Sequence, residues 1–372
     1  MSANSLLGGL TPEEFLRDFW QKKPLVIRGA LRDVGSPMTR EDVFEWVGND
    51  DVESRLVHYC NHRWTLERGP FRRARLKRLP DTDWTLLIQN ANHHIAQIDQ
   101  LLWKFNFIPA SRLDDLMISF SPPGGSVGPH VDSYDVFLLQ VGGTKRWQIS
   151  AQYDAELVEG APLKILRHFV AEETWVLEHG DMLYLPPLYA HYGVALETGM
   201  TYSVGFRAPS TQEMVTQFLI YLQDTLCTTG RYEDPDLRFQ VDPARISEEM
   251  VDRVAFMLQQ ICWKRETVAD FLGRYLTEPK AHVFYAPPDE PIESCKFATY
   301  AMDRGVALVA RTQMLYFDNI FYCNGEAIDI NLEDTLLWQQ LANHRQLDGC
   351  AISPSMLPLL YEGYVLGYWY YR

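Results

Sequence analysis

The sequence predicts an α+β fold in which short β-strands fill the first half of the chain and helices follow. In the region 113–206, short apolar runs alternate with turns that carry Gly, Pro or Asp, which is typical of a β-sandwich or barrel. From Pro209 onward, apolar residues recur at spacings of three and four, as they do in amphipathic helices. A double-stranded β-helix is the arrangement of such strands that brings His130 and His191 together at the mouth of a barrel.

Breaks in these patterns divide the chain into three predicted domains. The strand pattern ends before Pro209, and Ala286-Pro-Pro-Asp-Glu-Pro291 is typical of a linker. The domains that we expect are a double-stranded β-helix over 1–208, a helical dimerisation region over 209–284 and a winged-helix-like domain over 285–372.

Capping signals place the helices that precede the barrel strands. Thr11 is followed by Pro12 and Glu14, which supply an N-cap hydroxyl, a proline at the first helical position and a capping-box partner. A second capped helix is predicted to begin at Thr39. The other elements expected before residue 113 are strands at 24–28, 54–59, 64–67 and 84–89 and a helix near 95–105.

Helices and a small hairpin are predicted beyond Pro209. The helices are Thr211–Leu226, Ser247–Trp263 and Glu266–Leu276, which either cover the flank of the barrel or form a dimer interface. Past the linker, helices flank short strands, which is typical of a winged helix. This last module contains few Lys and Arg residues, so we interpret it as a protein-contact domain and expect no direct nucleic-acid binding.

Composition limits the class of partner. The chain has 34 Lys and Arg residues against 49 Asp and Glu residues, and its net charge of -15 favours a cationic polypeptide over a nucleic acid. Its six cysteines include no CxxC pair, so we predict neither a zinc finger nor a disulfide framework. The N-terminus lacks a signal-like pattern, and no run of about 18 apolar residues occurs. We therefore expect a cytoplasmic protein that does not enter a membrane.

Three side chains form a candidate metal site. His130 and Asp132 follow a glycine-rich turn, and residues i and i+2 of a strand share one face, so both can point at one ion. His191 adds a second imidazole. Two imidazoles and one carboxylate leave coordination positions open and are typical of non-haem iron(II) oxygenases, although zinc hydrolases also use this set.

The order of motifs around this triad resembles a known family. His130-x-Asp132 is followed by Gly143-Thr-Lys-Arg-Trp147, and then by Gly180-Asp-x-Leu-Tyr-x-Pro186 before His191. This order resembles the JmjC family of 2-oxoglutarate oxygenases, and the helical and C-terminal modules resemble those of its bacterial ribosomal oxygenases. The resemblance spans essentially the whole chain. It implies iron(II), 2-oxoglutarate and O2, with His130, Asp132 and His191 as the metal ligands and catalytic residues.

The resemblance also implies a site for 2-oxoglutarate. Lys145 occupies the family's G-x-[KR] position, where a cation binds the distal carboxylate of the cosubstrate. Arg146 would project to the opposite face of the strand and is the weaker candidate. A hydroxyl group should complete this carboxylate site, and our candidate is Ser121.

A polar strand face is the candidate substrate pocket. The strand 115–121 alternates, so Asp115 and Met117 share one face while apolar residues occupy the other. Asp115 is predicted to pair with a substrate guanidinium, and Met117 to contact its methylene groups. Tyr134 and Ser203 complete the predicted pocket. The alternative is that Asp115 faces solvent.

By resemblance, the reaction is hydroxylation of the β-carbon of an arginine in a basic loop of large-subunit ribosomal protein L-sixteen. One alternative is a JmjC oxygenase that acts on a histidine, an asparagine or a methylated lysine. Others are a non-catalytic cupin-like scaffold that binds ribosomal protein and a winged-helix regulator that senses 2-oxoglutarate. The intact metal triad and Lys145 argue against a scaffold, and the sparse basic charge of the last module argues against a regulator.

Overall fold

In a computed structural model, the chain is described over residues 6–31, 35, 38–281 and 283–372. It divides into two compact units, Met1–Ala208 and Pro209–Arg372. The first unit contains the strands that carry the candidate metal ligands. The predicted division of the second unit at residue 284 stays a prediction.

Two antiparallel sheets form the centre of the first unit. The larger sheet has the order β1 (Leu25–Ile27), β10 (Met182–Leu185), β7 (Val136–Val141), β12 (Gly199–Phe206), β5 (Leu113–Ser121), β4 (Trp84–Ile88), β2 (Ser54–Cys60) and β3 (Arg63–Arg68). The smaller sheet has the order β6 (His130–Val131), β11 (Ala190–Ala195), β8 (Lys145–Ser150) and β9 (Glu173–Leu177). From β5 to β12 the chain passes repeatedly between the sheets, which is the connectivity of a double-stranded β-helix. The predicted fold class is confirmed.

Helices cover one face of the larger sheet. They are α1 (Pro12–Asp18), α2 (Arg40–Trp46), α3 (Arg73–Leu76) and α4 (Ala96–Leu102). Both predicted capping boxes form, at Thr11 and at Thr39. The helix expected near 95–105 ends earlier, because its last turn tightens to a 3-10 helix at Trp103–Phe105. The four-residue helix α3 has no side-chain cap and was not predicted.

The alternation of β5 sets which of its side chains face the barrel interior. Leu116, Ile118 and Phe120 are buried in the core formed with the helices, as the sequence pattern predicted. The other face of the larger sheet meets the smaller sheet. There, a second apolar cluster joins side chains of β7 and β10 to side chains of β8 and β9. The polar positions of β5 therefore lie on the side that faces the candidate metal ligands.

A buried carboxylate fixes the segment between β6 and β7. Asp135 is fully buried and accepts hydrogen bonds from Tyr184 Oη (2.6 Å), Gln21 Nε2 (2.9 Å) and Arg112 Nη2 (3.5 Å). Burial and the hydrogen bond to Asp135 raise the pKa of Tyr184. Because the three donors come from separate parts of the chain, they hold this segment from several directions.

The second unit combines helices with two small sheets. Its helices are α5 (Thr211–Thr225), α6 (Glu248–Gln259), α7 (Arg265–Thr277), α8 (Ser294–Arg304), α9 (Thr335–His344) and α10 (Leu357–Val365). One sheet has the order β17 (Gln346–Leu347), β13 (Val306–Leu308) and β18 (Trp369–Tyr371), and the other is a meander of β14 (Met314–Phe317), β15 (Ile320–Cys323) and β16 (Glu326–Ile328). Trp369 and Tyr364 lie in the core of this unit. Within the described ranges, no helix is both long and apolar enough to cross a membrane.

Candidate metal centre

The two candidate histidines face each other across paired strands. His130 of β6 and His191 of β11 are directly opposite in register. Asp132 follows β6 at once, and its Oδ2 lies 3.9 Å from His130 Nε2 and 3.6 Å from His191 Nε2. One ligand atom from each residue lies within 4.8 Å of the others. The structure thus brings together the three side chains that the sequence singled out.

Backbone carbonyl groups set the tautomers of both imidazoles. His130 Nδ1 lies 2.9 Å from Gly128 O, and His191 Nδ1 lies 2.9 Å from Tyr189 O. A carbonyl oxygen only accepts, so each Nδ1 carries the hydrogen and each Nε2 keeps a lone pair on the Asp132 side. Such outer partners orient metal-ligating histidines, and the sequence did not reveal them.

The electrostatics of the site favour a neutral imidazole at His191. Burial, together with the neighbouring His130, lowers the pKa of His191 to about 4. Neutral imidazole is the form that binds a metal ion. Two nitrogen donors and one carboxylate oxygen fit iron(II) with open coordination positions, so the residues present suit the ion that the sequence implies.

Close packing around the backbone of Gly128 explains why a glycine lies two residues before His130. Gly128 has a φ of 82°, a left-handed conformation that favours glycine. A Cβ atom at this position would lie 3.0 Å from Ile165 Cδ1 and 3.1 Å from Trp64 Cζ2. The turn that presents His130 is therefore packed between these two side chains.

Lys145 is a buried cation near the metal centre. Its side chain lies inside the protein, its Nζ donates to Thr201 Oγ1 (3.1 Å), and Nζ lies 4.9 Å from the centroid of the Trp147 ring. Burial lowers the pKa of Lys145 to about 8. Within the described part of the chain, Lys145 forms no ion pair. Because an isolated buried charge is costly, this ammonium group suits an anionic ligand.

Thr201 is a site residue that sequence reasoning missed. It lies in β12, directly opposite Ser119 of β5 and Gln140 of β7, and its hydroxyl donates to Gln140 Oε1 (3.3 Å). Ser121, the hydroxyl that we expected near the carboxylate site, is buried and is hydrogen bonded to Thr85 (2.9 Å). The role of Ser121 stays a prediction. The alternation of β12 was the signal that could have identified Thr201.

The candidate substrate residues occupy neighbouring positions on the two central strands. Ser203 of β12 lies directly opposite Met117 of β5, so both project from the same face. Asp115 is buried rather than facing solvent, and its Oδ2 accepts from Asn90 N (3.1 Å) and Gln89 Nε2 (3.3 Å). The alternative of an exposed Asp115 is therefore wrong.

Tyr134 lies at the edge of the same region. Its side chain is 39% exposed, so it can meet a large substrate. Desolvation of its hydroxyl, followed by the negative charges of Asp132 and Asp115, raises the pKa of Tyr134. The phenol therefore stays protonated at neutral pH and can donate a hydrogen bond.

A second group of potential metal ligands lies on the protein surface. Asp154, Glu156 and His168 offer atoms within 4.8 Å of one another, but all three are exposed. Arg167 forms an ion pair with Glu156, which accounts for part of this surface charge. We therefore treat this group as a surface ion-pair cluster.

Known proteins share the architecture of the chain from end to end. The JmjC domain family matches residues 100–214, and the ROXA-like winged helix family matches residues 257–370. The ribosomal protein uL16 3-hydroxylase of Escherichia coli (strain K12) is 32% identical over 371 residues, which cover 96% of this chain and 97% of the relative. The probable ribosomal oxygenase of Haemophilus influenzae is 31% identical over 92% of this chain and 89% of its own length.

Solved structures agree with these relatives. The X-ray structure of E. coli ycfD has a TM-score of 0.85 at 31% identity and covers 98% of both chains. The ribosomal oxygenase YcfD from E. coli in complex with cobalt and 2-oxoglutarate has a TM-score of 0.83 at 32% identity, covering 97% of this chain and 98% of that one. With a relative above 30% identity matched over nearly its whole length, the chain belongs to the JmjC-domain ribosomal oxygenases that carry a ROXA-like winged helix.

Proposed function

We propose that this chain is an iron(II)- and 2-oxoglutarate-dependent protein hydroxylase that acts on the β-carbon of an arginine in ribosomal protein uL16, the protein also named L-sixteen. The observation that carries the proposal is the convergence of His130, Asp132 and His191 within 4.8 Å. It occurs in a chain that matches a uL16 3-hydroxylase over nearly its full length. Iron(II), when bound, supplies the chemistry that couples oxidative decarboxylation of 2-oxoglutarate by O2 to hydroxylation of a C–H bond.

The side chains around the triad hold the cosubstrate in a fixed orientation. His130 and His191 present Nε2 to the ion because carbonyl groups hold their Nδ1 hydrogens. Lys145 pairs with the distal carboxylate of 2-oxoglutarate in a charge-assisted bond. Thr201 Oγ1, 3.1 Å from Lys145 Nζ, contributes the hydroxyl at the same end. The apolar cluster between the sheets keeps water from this end of the site.

The polar face of β5 binds the substrate side chain. The Asp115 carboxylate, oriented by Asn90 N and Gln89 Nε2, accepts hydrogen bonds from the arginine guanidinium. Met117 contacts the methylene groups, buried Ser203 supplies a polar contact inside the pocket, and Tyr134 supplies one at its exposed edge. The net charge of -15 attracts a basic loop of a ribosomal protein.

The helical region of the second unit forms a homodimer. No residue of α6 is buried, and its exposed side chains include Val251, Val254, Phe256 and Leu258. An apolar surface of this extent is typical of an interface. We assign residues 209–284 to this dimerisation region and residues 285–372 to the winged helix, and place the protein in the cytoplasm with its ribosomal substrate.

Intact mass spectrometry tests the reaction and its target together. Recombinant uL16, or its arginine-bearing loop peptide, is incubated with the chain, iron(II), 2-oxoglutarate and O2. We expect a mass gain of about 16 Da that fragmentation localises to the β-carbon of arginine. His130→Ala should abolish the gain. The matched control His168→Ala, which removes an exposed histidine of the surface ion-pair cluster, should retain it.

Other outcomes point to the alternatives. Metal-dependent formation of succinate without a mass gain on uL16 would keep the oxygenase and reject this substrate, favouring a histidine, an asparagine or a methylated lysine elsewhere. Iron binding without either product would instead favour the cupin-like scaffold.

A further inference from the structure

A basic segment lies at one edge of the larger sheet of the first unit. Residues 63–78 contain seven Arg and Lys residues and a single acidic residue, Glu67, within a chain of net charge -15. β3 is the edge strand of the sheet, and α3 follows it in the chain. A positive run of this density is typical of a surface that binds a polyanion.

Most of these cations have no acidic partner among the residues that the structure describes. Arg75 Nε donates to Glu67 Oε2 (3.0 Å), which connects α3 to β3 and uses the one acidic residue of the segment. The other cations are exposed, and within the described ranges they form no ion pair: Arg63, Arg68, Arg72, Arg73, Lys77 and Arg78. The segment therefore presents a strong local positive charge to solvent.

Like charges also face each other at the end of the hairpin formed by β2 and β3. Arg68 of β3 is directly opposite Arg55 of β2, so the two guanidinium groups project from the same face of the sheet. Like charges in directly opposed positions destabilise a strand pair. Arg55 is half-buried and donates to Gln89 Oε1, so Arg68 is the exposed cation of this pair.

Two aromatic rings lie on the same face of the hairpin. Tyr59 and Trp64 are directly opposite in register, and their ring centroids are 4.5 Å apart. Tyr59 is 40% exposed, so its ring can accept a stacking partner. Trp64 packs against the turn at Gly128, two residues before His130, so the aromatic pair borders the metal centre.

We propose that the edge of the larger sheet at this hairpin binds single-stranded RNA. Tyr59, Trp64 and Arg68 lie on one face of the hairpin, whereas Arg75 of α3 bonds to Glu67 on the other, so the RNA would cross the edge strand β3 to reach the cations up to residue 78. Six of the seven cations are arginine, whose guanidinium binds phosphate oxygens in bidentate fashion. Tyr59 and Trp64 supply a stacking platform for a base, in the combination of basic and aromatic groups that single-stranded nucleic acids require. An acidic polypeptide would match the cations but would leave the aromatic pair without a partner.

This surface is distinct in chemistry from the metal centre. RNA binding needs neither the metal ion nor 2-oxoglutarate, so it can be measured in their absence. The net charge of -15 led us to expect no nucleic-acid binding. That net charge is a sum over the whole chain, whereas a bound phosphate group interacts mainly with the charged side chains within about 10 Å of it. RNA held here would lie beside the turn that carries His130.

Fluorescence anisotropy with a labelled, mixed-sequence RNA of about 20 nucleotides tests the proposal on the full chain. Four to six phosphate contacts predict a slope of about -3 to -4 in the plot of log affinity against log salt concentration. Arg72→Glu combined with Arg73→Glu should weaken binding at least about tenfold and make the slope shallower by about 1.4. The matched control, Arg231→Glu with Arg238→Glu, reverses two exposed cations of the second unit and should leave both values unchanged.

A second variant tests the stacking contact separately. Tyr59→Leu should weaken RNA binding about tenfold and leave the salt slope unchanged, because it removes a ring and no charge. Hydroxylation of a short peptide by the Arg72→Glu, Arg73→Glu variant should match that of the unaltered chain. The proposal is overturned by an absence of RNA binding at low salt, by equal weakening in the control, or by competition from poly-glutamate as effective as that from RNA.

Discussion

Replacing Lys145 by methionine should separate two effects of the buried ammonium group: its destabilisation of the fold and its contribution to 2-oxoglutarate binding. Methionine keeps most of the length of the side chain and removes the ammonium group. Burial lowers the pKa of Lys145 from 10.5 to about 8, which disfavours the charged form by about 3 kcal/mol at 1.36 kcal/mol per pKa unit. The hydrogen bond to Thr201 offsets only about 1 kcal/mol. Lys145→Met should therefore raise the free energy of unfolding at pH 7 by about 1–2 kcal/mol.

The effect on cosubstrate binding should have the opposite sign. A charge-assisted hydrogen bond contributes about 1.5–3 kcal/mol, so its loss should raise the KM for 2-oxoglutarate by about 10- to 100-fold. The assay measures succinate formation across 2-oxoglutarate concentrations with saturating substrate, alongside urea unfolding without cosubstrate. The control Thr201→Val keeps the cation and the side-chain volume, and should raise the KM by only a few fold.

The pH dependence provides a second readout for the same group. The free protein loses the Lys145 proton as the pH rises through about 8, whereas a bound carboxylate raises the pKa of Lys145. Affinity for 2-oxoglutarate should therefore be full below pH 8 and fall above it, and Lys145→Met should lack this fall. An unchanged KM in Lys145→Met, or a lower free energy of unfolding, would refute the reasoning and make Lys145 a packing residue.

Three further variants test other parts of the structure. Asp115→Asn should raise the KM for an arginine peptide at least about tenfold and leave that for 2-oxoglutarate unchanged; equal changes in both would contradict a substrate role. Asp135→Asn should lower the free energy of unfolding in urea by about 2–3 kcal/mol, because it weakens a fully buried hydrogen-bond network, whereas exposed Asp154→Asn should change it by less than about 0.5 kcal/mol. Val254→Glu with Leu258→Glu should convert a dimer to a monomer in light scattering, and an unchanged mass would place the interface elsewhere.

Local rules account for the features that the sequence predicted correctly. A capping box needs only residues three apart, so both helix starts followed from Thr11 and Thr39. Strand alternation has a period of two, so the apolar face of β5 followed from Leu116, Ile118 and Phe120.

Long-range register decides the features that the sequence did not reveal. Lys145 and Thr201 are 56 residues apart, and they meet because β12 pairs with β7 while β8 lies in the other sheet. Ser121 is a candidate by residue type, and its pairing with the Thr85 hydroxyl of β4 is a contact that the sequence did not reveal; its role at the carboxylate site stays a prediction. Likewise, the carbonyl partners of the two metal-site histidines are backbone atoms, which a pattern of side chains does not encode.

The register of β5 and β12 also indicates the length and charge of the substrate side chain that the site accepts. The level of Thr201 and Ser119, where the cosubstrate carboxylate is proposed to bind, is separated from Asp115 by four residues of β5, or about 13 Å of strand. That length must hold 2-oxoglutarate, the metal and the substrate side chain in sequence. A substrate whose cationic group reaches Asp115 while a carbon near its backbone faces the metal must therefore be long. Histidine and asparagine are short and place no fixed cation at Asp115, whereas arginine and a methylated lysine meet both the length and the charge. Of these two, only the planar guanidinium of arginine can donate a bidentate pair of hydrogen bonds to the Asp115 carboxylate.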